Sequence, residues 1–223
     1  MMWKFLSTLR ARLLLLVLLA VLPALGLMLY TADEERRIAA AWAQEDALRL
    51  VRLTSTDQEQ LIEGARQLLS VMAQLPEVRS SDVAACSALF TGLLKQHPHF
   101  ISFGLIKPNG DLLCSFPPAG SPVNLSDRSY FQRVLHTRDF AVGDYQISRV
   151  TGKGSLNFGY PVLDEARQVQ AVLFAALDLT WVNRLAAEAK LPPGATLTVV
   201  DRNGIILTRH PDAEKWAGQP VPE

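Results

Sequence analysis

Residues 100–116 read FISFGLIKPNGDLLCSF, and this stretch decides the fold class. Its two apolar runs flank the turn Asn109-Gly110, which is a strong short-range signal for a β-hairpin. A related stretch, LTVVDRNGIILTRHP, occupies residues 197–211 and carries its own Asn-Gly at 203–204. Strand, turn, strand and proline recur in register, so the sequence predicts two tandem modules that open with the same hairpin. The alternative is two hairpins that share common turn chemistry by chance.

A long helix is predicted before the first hairpin. Between about Asp33 and Leu75 there is no proline, and the only glycine is Gly64. A helix of about 40 residues would be about 60 Å long, longer than a small domain is wide. Two shorter helices broken near residues 54–56 are the alternative. An apolar stripe at helical spacing supports a helix over the second half, formed by Leu61, Ala65, Leu68, Met72 and Leu75.

The remaining elements alternate between helix and strand. Pro76 ends the long helix, and Ser80 or Ser81 can cap a second helix that runs to about Gln96. Further strands are predicted over residues 155–162 and 169–178, followed by a short helix over residues 181–189. The sequence therefore predicts an α+β fold with a PAS-like antiparallel sheet behind a long stalk helix.

The N-terminal region has the composition of a membrane helix. Hydrophobic residues make up 49% of the 223 residues, and residues 13–32 carry no formal charge, a length that crosses a bilayer. A cleaved signal peptide is the alternative. Basic residues precede this segment, whereas Asp33, Glu34 and Glu35 follow it. The positive-inside rule therefore predicts a cytoplasmic segment 1–12, a transmembrane helix 13–32 and an extracytoplasmic remainder.

Charge and motifs exclude several function classes. Lys+Arg and Asp+Glu both number 22, which gives a formal net charge of zero and no basic excess for nucleic acid. The sequence has no metalloprotease or serine-hydrolase motif. We therefore predict no catalytic residues, no metal, no cofactor and no nucleic-acid partner, so the chain is not expected to be an enzyme.

One segment has the composition of a binding site. Residues 126–131, SDRSYF, follow a loop rich in proline, glycine and serine and open a short helix. The guanidinium of Arg128 suits a carboxylate, with aromatic surface beside it from Tyr130 and Phe131. Tyr145 and Asp178 lie downstream, on or near predicted strands. These residues suit a pocket for a small polar ligand; local pairing of Asp127 with Arg128, with the aromatic rings in the core, is the alternative.

Several of these segments resemble double-Cache sensor domains, the PAS-like extracytoplasmic modules of bacterial histidine kinases, diguanylate cyclases and chemoreceptors. The similar stretches are DRSYFQR at 127–133, VGDYQI at 142–147, NFGYPV at 157–162 and TVVDRNGIIL at 198–207. The resemblance implies a long helix and membrane-distal module over residues 33–190. Residues 191–223 would begin a membrane-proximal module. Because a lone hairpin cannot form a core, we expect that second module to be incomplete here.

The resemblance also implies roles for individual residues. Amino-acid-binding relatives use an arginine for the ligand carboxylate and a later aspartate for the ammonium group, which correspond here to Arg128 and Asp178. Tyr130 stands in place of a tryptophan and Phe131 lacks a hydroxyl, so an amino acid and another carboxylate-like metabolite are both consistent. From the residues alone, Cys86 and Cys114 could be a disulfide or two buried thiols. The resemblance favours a disulfide.

The sequence therefore predicts the ligand-sensing portion of a transmembrane signal-transduction receptor. It would lie in the cell inner membrane with a periplasmic sensor domain and signal across the membrane as a homodimer. The apolar stripe between Leu61 and Leu75 could pack two parallel helices together. A protein-binding or structural extracytoplasmic module without a small-molecule ligand is the alternative.

Overall fold

The computed structural model describes residues 59–188 and 194–222. The helices are α1, described over residues 59–72, α2 (Pro76–Arg79), α3 (Val83–Gln96), α4 (Ser129–Thr137), α5 (Leu179–Glu188) and α6 (Ala213–Trp216). The strands are β1 (Phe100–Ile106), β2 (Leu112–Phe116), β3 (Ala141–Ile147), β4 (Gly154–Leu163), β5 (Val169–Asp178), β6 (Leu197–Val200) and β7 (Ile206–His210).

An antiparallel five-stranded sheet forms the centre of the fold, with the strand order β2-β1-β5-β4-β3. The second hairpin, β6–β7, forms a separate two-stranded sheet. Both Asn-Gly hairpins are therefore present, and strand β5 has the bounds that the sequence predicts. The α+β class and the PAS-like antiparallel sheet are confirmed.

The two hairpins share a detailed hydrogen-bonding pattern. Each turn closes with the glycine N–H donating to a carbonyl three residues earlier, and the chain later returns to pair beside the second strand. In the first hairpin, these bonds are Gly110 N to Lys107 O (2.8 Å) and Leu112 N to Val123 O (2.9 Å). In the second hairpin, they are Gly204 N to Asp201 O (3.1 Å) and Ile206 N to Gln219 O (2.8 Å). Both glycines have positive φ, which favours glycine at this position.

Hydrophobic residues cover both faces of the large sheet. On one face, here called the α1 face, helices α1 and α3 bury Leu69 and Phe90 against Phe103 and Leu173. On the opposite face, here called the α4 face, helix α4 packs Phe131 and Val134 together with strand residues such as Ile106 and Phe174. Strands β1 and β5, central in the sheet, are accordingly buried along almost their whole length.

The apolar stripe on α1 lies against this chain's own sheet. Ala65, Leu69 and Met72 are buried there, and Leu61 and Leu68 pack against the same cluster. The predicted use of this stripe to pair two chains is therefore wrong, because the helix needs that face to cover the sheet. The rest of the predicted long helix, and the predicted membrane span 13–32, lie outside the described residues. Within the described residues, no helix combines the length and hydropathy needed to cross a membrane.

The N-cap of helix α3 lies one residue after Ser81, the later of the two predicted caps. Its N-cap is Asp82, whose Oδ1 accepts hydrogen bonds from the N–H groups of Ala84 and Ala85. The predicted serine cap is therefore wrong, because the aspartate carboxylate satisfies two first-turn donors at once. The same helix carries Cys86, which is joined by a disulfide to Cys114 on β2, with a Cα–Cα distance of 6.4 Å. This bond ties α3 to the edge strand of the sheet.

Residues Leu61–Glu223 form one unit that includes the second hairpin. Thr208 on β7 donates a hydrogen bond to the Asn183 side chain on α5. The turn of the hairpin contacts strand β3 on the edge of the large sheet, where Asp201 Oδ2 accepts a hydrogen bond from Tyr145 N at 3.1 Å. The second hairpin therefore packs directly against the first module.

Candidate ligand-binding site

Arg128 occupies the N-cap position of α4 in extended backbone geometry. Its Nη2 donates to the Ile147 carbonyl at 3.3 Å, which leaves the guanidinium beside the end of β3. Its Nε is buried and has no hydrogen-bond partner among the described residues. The neighbouring Asp127 accepts from Arg149 at 2.5 and 2.9 Å, and this bond lowers the pKa of Asp127. Arg149 thus neutralises Asp127, and no carboxylate of residues 59–188 or 194–222 forms a salt bridge with Arg128.

Tyr130 lies on the α4 face of the sheet. A Cβ at Gly143 would lie 3.3 Å from the Tyr130 Cβ, and a Cβ at Gly159 would lie 3.1 Å from its Cδ2. The two glycines therefore allow the ring to lie directly on strands β3 and β4, beside Phe174 at a centroid distance of 5.9 Å. Burial raises the pKa of Tyr130, so its hydroxyl is a neutral donor. That hydroxyl lies near the Asn157 side chain but makes no hydrogen bond of ordinary geometry within the described residues.

Asp178 is the last residue of β5 and lies opposite Ser155 in the register of β4 and β5. Its Oδ1 accepts the N–H of Thr180 at 2.8 Å, which caps helix α5. Its own N–H donates to the His99 carbonyl at 2.8 Å. None of the hydrogen bonds among the described residues uses Oδ2. One carboxylate oxygen thus has a structural partner, and the other can serve a ligand.

Three further polar residues line the same face, and the sequence analysis missed them. Ser102, Ser155 and Asn157 are all buried. Ser102 and Asn157 lie on either side of Ala176, and Ser155 donates to Asn157 Oδ1 at 2.9 Å. A signal for β4 was present in the sequence, since serine and asparagine alternate with leucine and phenylalanine at residues 155–158. Alternation indicates two differently packed faces.

The other two predicted site residues lie elsewhere. Phe131 is buried in the apolar cluster of the α4 face with Ile106 and Val172. Tyr145 pairs with Leu156, whose side chain packs on the α1 face, and the Tyr145 ring lies against Gly218, which follows α6. The structure therefore places Tyr145 on the α1 face and Tyr130 on the α4 face, and the binding role of Tyr145 stays a prediction. A bulge between Val142 and Tyr145 inserts one extra residue, which reverses the side-chain alternation.

A groove of about 440 Å³ opens on a different part of the surface. It lies between α3, β2 and the loop that follows β2, and its lining includes Val83, Ser87, Leu113 and Pro118. None of the predicted ligand-binding residues contributes to it. Within residues 59–188 and 194–222, no group of three or more histidine, cysteine or acidic side chains is placed to hold a metal ion.

Comparison with known proteins identifies the family. Residues 35–223 match the family described as the Cache domain. The chain belongs to this family. Cache domains are non-catalytic sensor modules, so any enzymatic output would lie in other domains. The match spans both the five-stranded sheet and the second hairpin.

The similar proteins include a kinase and two ligand-binding domains. The chain is 26% identical over 204 residues to sporulation kinase D of Bacillus subtilis, which covers 92% of this chain but only 40% of that kinase. A similar solved structure is the ligand-binding domain of the Pseudomonas fluorescens chemoreceptor CtaA in complex with L-serine. The two are 19% identical with a TM-score of 0.59, and the match covers 76% of this chain and 72% of the chain in the CtaA structure. Another is the ligand-binding domain of Mlp24 with asparagine, at 17% identity and a TM-score of 0.65, covering 80% and 74%. These structures share the fold of this chain.

Proposed function

We propose that this chain is the extracytoplasmic ligand-sensing part of a transmembrane receptor, and that a small polar or anionic metabolite binds on the α4 face of the sheet. The observation that carries the proposal is a pair of buried donors, Arg128 Nε and Tyr130 Oη, that lack partners among the described residues. Buried polar groups in proteins are nearly always hydrogen-bonded. A ligand with acceptor atoms would satisfy both donors.

The charges favour a carboxylate at one end of the ligand. Arg128 presents a planar guanidinium that can bind a carboxylate through two parallel hydrogen bonds. Asp178 supplies an opposite charge at the end of β5, which suits an ammonium or hydroxyl group. The CtaA and Mlp24 structures contain L-serine and asparagine. An amino acid or a related small carboxylate is therefore the ligand class that we propose for this chain.

Signalling would pass from this domain through the membrane. The predicted span at residues 13–32 would place the sensor outside the cytoplasmic membrane, in the periplasm, with a kinase, cyclase or chemoreceptor output elsewhere in the receptor. A ligand shifts such a receptor only if it binds one conformation more tightly than the other. This chain spans about 40% of the length of the curated kinase that it matches, so the output of the whole receptor is part of the proposal.

We retain a homodimer in the proposal, although the stripe on α1 does not support it. Light scattering of the full chain in detergent, with the detergent mass subtracted, would give twice the chain mass. A chain that remains monomeric at high concentration, with and without ligand, would contradict this part of the proposal and leave ligand binding untouched.

A thermal-shift screen of the full chain against amino acids, carboxylates and other small metabolites tests the binding proposal. A compound at about 100 times its dissociation constant adds about 2.7 kcal/mol to the free energy of unfolding. That gain raises the Tm by about 5–10 °C for a domain of this size. The shift should disappear in Arg128→Ala and in Asp178→Asn. The asparagine keeps the oxygen that caps α5 but removes the charge.

The control variant is Arg138→Ala, which removes an exposed arginine at the other end of α4 and should leave the shift unchanged. A shift that survives both site substitutions would contradict the proposed site. If no compound in a broad panel stabilises a well-folded chain, the alternative of a module that binds a protein partner is favoured.

A further inference from the structure

The floor of the candidate site is polar where a sheet core is normally apolar. Ser102 is fully buried, and Ser155, Asn157 and Asp178 are buried on the same face. Along the rest of this face, the buried positions carry residues such as Ile106, Val172 and Phe174, which pack in the apolar cluster of α4. The polar residues are thus confined to one end of the sheet, where β1 and β4 begin and β5 ends.

The strand register brings these four residues together. Ser102 and Asn157 are both Cα partners of Ala176, and Ser155 is the partner of Asp178. Side chains of directly paired residues share a face, and neighbouring strands lie about 4.8 Å apart. The four side chains therefore lie in two adjacent rows, and within the first row Ala176 stands between Ser102 and Asn157.

The Ser102 hydroxyl differs from the other buried serine hydroxyls of the sheet. Its Oγ is buried and has no hydrogen-bond partner among the described residues. Ser115, on the neighbouring strand, shows the contrast, because its buried hydroxyl donates to the Pro117 carbonyl at 2.9 Å. A buried hydroxyl without a partner destabilises the folded state, and its retention calls for another reason.

We propose that Ser102 and Asn157 determine specificity by hydrogen-bonding a polar group at the end of the ligand opposite its carboxylate. The inference rests on the proposed ligand site, with Arg128 at the carboxylate and Asp178 at the cationic group. The ligand is then a small amino acid or carboxylate whose side group carries a hydroxyl or an amide. An isosteric compound with a methyl group would leave the buried Ser102 hydroxyl unsatisfied, and such mismatches discriminate strongly.

The stability of the free protein gives the first test. Ser102→Ala removes an unpartnered hydroxyl and should leave the Tm unchanged or raise it. The matched control, Ser115→Ala, breaks an existing hydrogen bond of a buried serine in the same sheet and should lower the Tm. A Tm for Ser102→Ala that falls as far as that of the control would overturn the inference, because it would give the Ser102 hydroxyl a structural role.

Binding of isosteric probes gives the second test. Calorimetric titration of the full chain compares L-threonine with L-valine, and L-asparagine with L-leucine, so that each pair differs mainly in hydrogen-bonding capacity. We expect the polar member of at least one pair to bind at least tenfold more tightly. That ratio should fall toward one in Ser102→Ala or Asn157→Leu. Equal or tighter binding of the apolar members would overturn this inference while leaving the proposed site intact.

Failure of all four probes to bind would overturn the inference in its amino-acid form and count against the proposed ligand class as well. If instead the apolar probes bind and their binding still depends on Arg128, this inference fails but the sensor proposal stands. The failure of the inference is therefore distinguishable from the failure of the proposed function. A polar preference that persists unchanged in both variants would place the specificity in other residues and would also overturn the inference.

Discussion

Asp144 on strand β3 accepts two hydrogen bonds from the guanidinium of Arg133 on helix α4, at 2.8 and 2.9 Å. On its other side, Arg202 of the second hairpin approaches to 3.4 Å. Both arginines also donate to the Val142 carbonyl, at 2.6 and 3.1 Å. Strand β3 is an edge strand of the sheet, and the two arginines bind a carbonyl group that no further strand pairs with. The Asp144 carboxylate thereby connects helix α4, whose N-cap is Arg128, to the second hairpin.

Removing the Asp144 charge should destabilise the fold. Burial alone would raise the pKa of Asp144, but hydrogen bonds from Ser129 and Arg133 and the charges of Arg133 and Arg202 outweigh burial and lower it. Because the side chain is mostly buried, Asp144→Asn should lower the free energy of unfolding by about 1–3 kcal/mol. Urea denaturation at pH 7 measures this change.

Glu63→Gln is the matched control, because it breaks a surface ion pair with Arg66 in which both side chains are about half exposed. Such pairs contribute less than about 0.5 kcal/mol. Equal effects of Asp144→Asn and Glu63→Gln would show that the β3 carboxylate has no special role. Since the pKa of Asp144 is lowered, its contribution should be present at neutral pH and be lost as the pH falls below about 4.

Arg202→Ala should loosen the second hairpin without unfolding the large sheet. The substitution removes one ion pair and one hydrogen bond to β3. Losing about 1 kcal/mol of local stability corresponds to about fivefold faster amide exchange in β6 and β7. Hydrogen–deuterium exchange measured by mass spectrometry resolves this change. Unchanged exchange, or the same acceleration in the exposed control Arg138→Ala, would contradict a coupling through Arg202.

The disulfide between Cys86 and Cys114 should stabilise the protein when it is produced in an oxidising compartment. The cysteines are 28 residues apart in sequence. Closing a loop of that length contributes about 3–4 kcal/mol in the chain-entropy description. Cys86→Ser with Cys114→Ser should therefore lower the Tm by roughly 5–15 °C. Alkylation of the unreduced, denatured chain should add no mass to either cysteine, and labelling of both would rule out the bond.

Acidification toward pH 5.5 should weaken the fold through His99. Burial first, and then the charge of His97, lowers the pKa of His99. The unfolded chain then binds this proton more readily than the folded chain, so stability is complete above about pH 6.5 and falls as the pH drops below that value. His99→Phe keeps a ring against Phe100 and Trp181 but removes the titration.

We expect the loss of unfolding free energy between pH 7.5 and 5.5 to be smaller in His99→Phe than in the unmodified chain. His136→Gln, which replaces an exposed histidine on α4, should retain the full dependence. The same pH dependence in all three proteins would assign the effect to groups other than His99.

The sequence predicted the elements that depend on local patterns. The Asn-Gly turns at Gly110 and Gly204 require positive φ, and strand β5 is a continuous apolar run, so both hairpins and that strand were predictable. Arg128, Tyr130 and Asp178 were proposed from their chemistry, and their binding role stays a prediction. The apolar stripe of α1 was also visible, but nothing local indicated that it would pack against this chain's own sheet.

The arrangement of the side chains around the candidate site depends on strand register. The extra residue at Gly143 and Asp144 turns the Tyr145 side chain away from Tyr130, and no sequence pattern marks such a bulge. Ser102 belongs to the site only because β1 and β4 flank β5, a long-range arrangement that periodicity along one strand does not encode. That the Ser102 hydroxyl is buried without a partner among the described residues can be recognised only from the register of the strands.

The central claim is that a small ligand binds between Arg128, Tyr130 and Asp178 on the α4 face. A crystal structure of the chain with the most stabilising compound from the thermal-shift screen tests it most directly. Our account predicts an acceptor group of the compound within hydrogen-bonding distance of Arg128 and Tyr130, with its other polar end near Asp178 and Ser102. Binding in the groove between α3 and β2, with the Arg128 and Tyr130 donors still unpartnered, would contradict it.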